Sequence, residues 1–254
     1  MSDLFSLEGR VALVTGASRG LGRAIANAMA TAGAHVVLAA RGEDALNENA
    51  AAIRSNGGIA SVVRLDVTDE RAVIDAVART VADAGRLDIL VNNAGTVHRA
   101  PILEAETADW DAVVETNLRA CFLLSREAAK PMVAQGWGRI ITIGSIMSQI
   151  ARPGVPAYVS TKHAVVGLTK ALAVELGASG VTANAIGPGY FRTELTEALQ
   201  HDPAFSKMIE ARCPVGRWGE AEELGGIAVF LASDAAAYIN GHLLIVDGGM
   251  TINL

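Results

Sequence analysis

The sequence predicts an α/β fold: a doubly wound, Rossmann-type, seven-stranded parallel sheet with helices on both faces. Three observations carry the prediction. Short runs of Val, Ile and Leu alternate with longer Ala-rich segments of helical period. The short runs are apolar at successive positions, as strands buried on both faces are. Strands separated by crossover helices can pair only in parallel, and such crossovers are right-handed.

Val11-Ala12-Leu13-Val14-Thr15 reads as the first strand. Over residues 20–31, Leu21, Ala24, Ile25, Ala28 and Met29 recur at i, i+3, i+4, i+7 and i+8, one face of a helix. Gly33 then supplies a left-handed terminator. A second strand is expected at 35–39, a third at 62–65 and a fourth at 89–91, with helices at 43–55 and 70–84 between them. A long helix over about 109–133 precedes a fifth strand at 140–143, and a helix at 157–176 leads to a sixth at 181–186. The seventh lies at 243–246. Roughly 55 residues after Ile186 break this rhythm, opening on Gly187-Pro188-Gly189. Insertions at the carboxyl edge of such a sheet cover the ligand. One domain over 1–254 is therefore expected, with a substrate lid at about 188–215.

Composition agrees. A chain of 254 residues can bury a core without disulfides or metals. Its 51% hydrophobic and 19% charged positions exclude a disordered chain. Twenty-seven acids against 21 bases give a net charge of −6, which repels a phosphate backbone, so no nucleic-acid partner is expected. Cys121 and Cys213 lie too far apart for a metal pair, and His35, His98, His163, His201 and His242 show no metal spacing, so no metal is expected. Two thiols suit a reducing cytosol. Residues 1–10 carry Asp3 and Glu8 and no apolar leader, and no stretch approaches the ~18 apolar residues of a membrane span. A cytoplasmic protein without membrane partners is the expectation.

Thr15-Gly16-Ala17-Ser18-Arg19-Gly20-Leu21-Gly22 joins the first strand to the first helix. Glycines there let the backbone turn tightly and approach a pyrophosphate, whose charge meets the helix amino terminus. The spacing is Gly-x-x-x-Gly-x-Gly, not the common Gly-x-Gly-x-x-Gly fingerprint. A plain structural turn is the alternative; the flanking buried strand and amphipathic helix argue against it. Leu38-Ala39-Ala40-Arg41 ends the second strand without the carboxylate that would hold a ribose 2′-hydroxyl and favour NAD. Arg41 and Arg19 could instead clamp a 2′-phosphate, two solvated surface arginines being the alternative. NADP is thus the expected cofactor, with NAD the second choice.

Tyr158 and Lys162 are four apart and project from one helix face. A phenol is ordinarily a poor base at neutral pH, but a neighbouring ammonium favours phenolate and so enables proton exchange. Such pairs also arise by accident. Ser145 follows Ile140-Ile141-Thr142-Ile143 at the carboxyl edge of the sheet, where ligands bind and a hydroxyl can donate to an oxygen gaining charge. Asn117 falls within a helix, where Asn has poor propensity and competes for backbone bonds, a local helix distortion being the alternative to a functional role. No Gly-x-Ser-x-Gly elbow supports a serine hydrolase.

These landmarks, with Asn92-Asn93-Ala94-Gly95 and Pro188-Gly189, appear in the order found in short-chain dehydrogenases/reductases, which the chain resembles over Thr15 to Gly189. The resemblance implies hydride transfer between a nicotinamide cofactor and a secondary alcohol or ketone. It implies a catalytic tetrad of Asn117, Ser145, Tyr158 and Lys162, with Asn117 holding a relay water and Lys162 also holding the nicotinamide ribose. It places the cofactor against Gly16, Ser18, Arg19, Gly20, Leu21, Gly22, Arg41, Asp66, Val67, Asn93, Ala94, Gly95, Tyr158, Lys162, Pro188, Gly189 and Thr193. Asp66 would meet the adenine edge; helix capping near Thr68 and Asp69 is a separate reading. In this family, bases at the positions of Arg19 and Arg41 go with NADP.

Residues 1–7, 187–194, 214–219 and 240–250 are similar to the gluconate 5-dehydrogenase-like members. That likeness implies gluconate/5-ketogluconate or another small ketone, held by Ser145, Tyr158, Arg99, Gln149 and Tyr190. Arg99 could bind a carboxylate, a surface arginine being the alternative, and His98-Arg99 stands where those members carry two arginines. Two other functions compete. One is a 3-oxoacyl-[acyl-carrier-protein] reductase, for which Arg126 and Lys130 would be docking cations. The other is a catalytically silent NAD(P)-binding sensor or scaffold, against which an intact tetrad argues. The family usually assembles as homotetramers, and residues 250–254 are apolar enough to meet a neighbour.

Overall fold

The computed structural model describes residues 4–253. Met1 to Asp3 of the amino-terminal resemblance, and Leu254, lie outside the described residues. The elements run β1 (Val11–Thr15), α1 (Gly20–Thr31), β2 (His35–Ala40), α2 (Glu43–Ser55), β3 (Ile59–Arg64), α3 (Glu70–Ala84), β4 (Ile89–Asn92), α4 (Thr107–Val114), α5 (Ala120–Gln135), β5 (Gly138–Ile143), α6 (Pro156–Leu176) and β6 (Val181–Pro188). Then come β7 (Phe191–Arg192), α7 (Glu197–Gln200), α8 (Pro203–Arg212), β8 (Gly219–Glu220), α9 (Glu223–Ala232) and β9 (Leu243–Val246). Seven strands form one parallel sheet in the order β3-β2-β1-β4-β5-β6-β9. The predicted class and strand number are those of the structure.

The pleat explains the apolar runs. Ala12 and Val14 of β1 face α1, α2 and α9 through Ile25, Met29, Leu46, Ile53, Leu224 and Leu231. Val11 and Leu13, one position off, face α3 and α5 through Val73, Val77, Leu123, Leu124 and Met132. Both faces of the strand are therefore covered, and alternation is absent because neither face meets water. Gly225 lets α9 pack close on α1: a methyl group there would lie 2.6 Å from the Ala28 Cβ.

Strand order reverses between β2-β1 and β4-β5, which opens a crevice at the carboxyl ends of β1 and β4. Both ends of β1 are pinned to β4. At the amino edge, the Val11 N–H donates to buried Asp88 at 2.9 Å, and Arg86 donates to the same carboxylate at 2.7 Å. At the carboxyl edge, the Thr15 hydroxyl donates to the Val91 carbonyl (3.1 Å) and accepts from the Asn93 and Ala94 N–H groups (3.0 and 3.1 Å).

The structure amends three expectations. The helix expected over 109–133 is divided: α4 and α5 flank a π-helical turn, Glu115–Arg119, with Asn117 at its centre. The third strand starts at Ile59 rather than 62, since an edge strand half-covered on each face lacks a continuous apolar run. Helix α9 was not expected at all. Between β6 and α9, residues 189–222 hold the paired β7 and β8 and the short helices α7 and α8.

Candidate active site

The loop after β1 takes its shape from glycine. Gly16 and Gly20 adopt φ of +64° and +54°, the left-handed region that glycine enters freely. A methyl group on Gly16 would lie 2.7 Å from the Asn93 Nδ2, and one on Gly22 would meet both that nitrogen and the Gly16 carbonyl. Asn93 occupies this space to donate to the Thr15 and Gly16 carbonyls at 2.8 and 3.3 Å. Below the loop, buried Asn49 of α2 donates to the Ala17 carbonyl at 3.4 Å. The N-cap of α1, Arg19, makes no side-chain cap, so the first amide groups of α1 have no such partner. Bare backbone at a helix amino terminus, in a cradle that a Cβ would fill, fits a dinucleotide pyrophosphate.

Other expected cofactor positions lie at or beyond the carboxyl ends of β2, β3 and β6. Thr193 packs on Gly20: a methyl group there would lie 3.5 Å from the Thr193 Cβ. Leu21 packs on the core, while Ser18 is half-exposed and Arg19 and Arg41 are exposed. Asp66 accepts from the Thr68 N–H and hydroxyl at 3.0 and 2.8 Å. Those bonds, with Arg41 nearby, hold its carboxyl below the usual range. Asp69, not Asp66, caps α3. Val67 is buried behind them. Pro188 closes β6, and the Gly189 N–H donates to the Val246 carbonyl at 2.9 Å.

Asn117, Lys162 and Gly95 meet at the end of β4. The Asn117 amide accepts from the Thr96 N–H at 2.8 Å, donates to the Thr96 carbonyl at 2.9 Å and to the Thr161 hydroxyl at 3.3 Å. The π turn therefore presents a polar clamp to the loop after β4 and to α6. A methyl group on Gly95 would lie 3.4 Å from the Asn117 Oδ1 and 3.9 Å from the Lys162 Nζ. Cys121 is buried in the next turn, and burial pushes its thiol up to about 11 although Lys162 pulls the other way. It is inert as a nucleophile at neutral pH.

Lys162 is buried, and its ammonium donates to the Ile143 carbonyl at 2.7 Å. Among the described residues it has no carboxylate partner within 4.0 Å. Its Nζ lies 5.5 Å from the centroid of the Tyr158 ring. Tyr158 is half-buried, and its hydroxyl has no hydrogen-bond partner among the described residues. Ser145 is joined to this pair by Ser148, which sequence reading overlooked. Ser148 Oγ donates to the Lys162 carbonyl (2.7 Å) and accepts from the Ser145 N–H (3.2 Å). The Ser145 hydroxyl accepts from the Met147 N–H at 3.1 Å, capping a 3₁₀ turn and leaving its own hydrogen free to point elsewhere.

The expected substrate residues are less closely grouped. Gln149 is exposed at the end of that 3₁₀ turn. Arg99 is exposed and donates to the Leu195 carbonyl at 3.4 Å, tying the loop after β4 to the segment after β6. Tyr190 stands edge-on to Phe205 and Trp218, both at 5.6 Å, and its hydroxyl accepts from Arg152 at 3.3 Å. No cluster of three or more His, Cys, Asp or Glu among the described residues could hold a metal. No described helix is long and apolar enough to cross a membrane.

An enoyl-(acyl carrier protein) reductase family model matches residues 16–251. Gluconate 5-dehydrogenase of Gluconobacter oxydans is 47% identical over 252 residues, covering 99% of this chain and 98% of the relative. The 2-dehydro-3-deoxy-D-gluconate 5-dehydrogenase of Bacillus subtilis is 42% identical over 249 residues, covering 98% and 97%. A gluconate 5-dehydrogenase from Burkholderia cenocepacia, solved in complex with NADP and tartrate, superposes with a TM-score of 0.96 at 43% identity over 99% of both chains. Matched along nearly its whole length by such enzymes, the chain belongs to the short-chain dehydrogenase/reductase family, NAD(P)-dependent oxidoreductases acting on hydroxyl and keto groups.

Proposed function

We propose that this enzyme interconverts a ketone and a secondary alcohol on a sugar acid, 5-ketogluconate and gluconate being the pair, with NADP. One observation carries the chemistry. Among the described residues, a buried ammonium without a carboxylate lies 5.5 Å from the ring of a phenol whose hydroxyl is unengaged, beside a glycine-lined dinucleotide cradle. The likeness to sugar-acid dehydrogenases supplies the substrate class.

In the reductive direction, Tyr158 donates its phenolic proton to the carbonyl oxygen, and the Lys162 cation stabilises the phenolate left behind. Ser145 donates to the same oxygen as charge builds there. Bound NADPH supplies the hydride. Asn117, whose amide is engaged with Thr96 and Thr161, holds a water that relays protons toward Lys162. Arg99, Gln149 and Tyr190 border the substrate side, and residues 188–215 act as its lid. The reading is tested by assaying NADPH oxidation with 5-ketogluconate, 3-oxoacyl thioesters and neutral ketones. Preferential turnover of the sugar acid supports it, and a preference for the thioester replaces it.

The thioester reading loses its basic docking face. Arg126 is paired with Glu70 and Glu127, and Lys130 with Glu127. For the cofactor, Arg19 and Arg41 would hold the 2′-phosphate, and Asp66 would meet the adenine. Arg41→Ala is expected to lower the NADPH/NADH ratio of kcat/KM by about 10- to 100-fold, as loss of a charge-assisted contact does. An unchanged ratio removes the clamp.

The enzyme is further proposed to be a cytoplasmic homotetramer. Both cysteines are free and buried, which suits a reducing compartment. Phe122 and Val133 on α5, Val174 on α6, and Ile252 near the carboxyl end are apolar and exposed in the single chain. Met250, by contrast, is already buried within it. Light scattering should give about four times the 26.3 kDa of one chain, and 26.3 kDa itself contradicts assembly.

A further inference from the structure

Six arginines of the described residues are half-buried or buried: Arg10, Arg86, Arg119, Arg126, Arg139 and Arg152. The first five each have a carboxylate within 4.0 Å, on Asp88, Asp88, Glu70, Glu70 and Asp234 respectively. Arg152 has none. Its guanidinium lies 5.6 Å from the centroid of the Phe205 ring and donates one bond, at 3.3 Å, to the neutral Tyr190 hydroxyl. A guanidinium carries five N–H donors, and partial burial makes its unpaired charge costly. Every other half-buried or buried arginine among the described residues is compensated.

Its position is equally specific. Arg152 belongs to the loop between the Ser145 turn and the start of α6, four residues before Pro156, so it joins the elements that carry Ser145 and Tyr158. Tyr158, Tyr190 and Phe205 pack against one apolar cluster that includes buried Trp218. Phe205 and the Tyr190 hydroxyl hold the guanidinium at this cluster, on the loop that leads from Ser145 to Tyr158, where the fork can accept a carboxylate in bidentate fashion.

We propose that Arg152, seated on Phe205 and tethered by Tyr190, is the specificity-determining residue that anchors the substrate carboxylate while the ketone lies at Ser145 and Tyr158. Arg99, exposed and bonded to the Leu195 carbonyl, ties the lid instead. The proposal rests on the sugar-acid reading above, and its test separates the two.

The test compares wild type, Arg152→Gln, Arg152→Lys and Arg99→Gln in steady-state reduction of 5-ketogluconate and of a neutral ketohexose. Calorimetry of gluconate and tartrate binding to the NADP-loaded enzymes accompanies it. Arg152→Gln should raise KM for the acid and weaken carboxylate binding by about 10- to 100-fold, with kcat within about threefold. The neutral ketohexose should lose far less, and Arg152→Lys should recover part of the binding. If Arg152→Gln shifts carboxylate binding by less than about twofold, or weakens the neutral ketone equally, the assignment is overturned. It is likewise overturned if Arg99→Gln takes the larger loss or wild type binds neither carboxylate. Should wild type bind tartrate but turn over no sugar acid, the substrate reading fails while tartrate binding still decides the role of Arg152.

Discussion

Tyr158→Phe is expected to lower kcat for ketone reduction by about 100- to 10,000-fold, the range for loss of a general acid. NADPH affinity should stay within about twofold, since the ring that faces Lys162 is retained. The variant is a clean probe because the Tyr158 hydroxyl bonds no described protein group, so its removal leaves no buried donor or acceptor without a partner. Thermal unfolding should be unchanged while turnover falls. Stopped-flow reduction with saturating NADPH separates chemistry from binding. Near-normal turnover takes Tyr158 out of the mechanism, and a collapse of both affinity and stability means that its role is architectural.

Gly22→Ala should act through the cradle. Its methyl group would sit within contact-forbidden distance of the Gly16 carbonyl and the Asn93 amide, neither of which is a flexible end. Asn93 is held by the Thr15 carbonyl and by the Thr15 hydroxyl through its N–H, so making room means breaking the link between β1 and β4. Overpacking of this kind costs about 1–3 kcal/mol, or a Tm lower by roughly 2–12 °C for a chain of this size. The displaced loop no longer presents its amides to the pyrophosphate, so the NADPH Kd should rise by at least about tenfold. Fluorescence titration of NADPH and a thermal scan check both arms. A variant with wild-type affinity shows that the loop does not carry the phosphates.

How far the sequence revealed this depends on what each residue contacts. Helices α1, α2 and α3 fall where their apolar period places them, because each buries one face on the sheet. The π turn has no period of its own, since one extra residue leaves the flanking faces apolar; only Asn117 hinted at it. Helix α9 was hidden by Gly225-Gly226, which reads as a loop, although Leu224, Ala228 and Leu231 have helical spacing. Close approach to Ala28 is the reason for the first of those glycines. In the site, Asn117, Ser145, Tyr158 and Lys162 were legible as a pattern and Arg152 only as one more polar residue of a loop, whereas Ser148 was not legible. The meaning of Ser148 and Arg152 lies in partners 14 and 38 residues away, Lys162 and Tyr190, which no local motif relates.

The proposed chemistry turns on one event, a hydride delivered to a ketone whose oxygen is protonated by Tyr158. Reduction of 5-ketogluconate with NADPH deuterated at the transferring position of the nicotinamide, followed by mass spectrometry of the product, tests it directly. The expected result is one deuterium per product molecule, bonded to the new carbinol carbon, formed far faster by wild type than by Tyr158→Phe. A product free of deuterium, or equal rates for the two proteins, would contradict it.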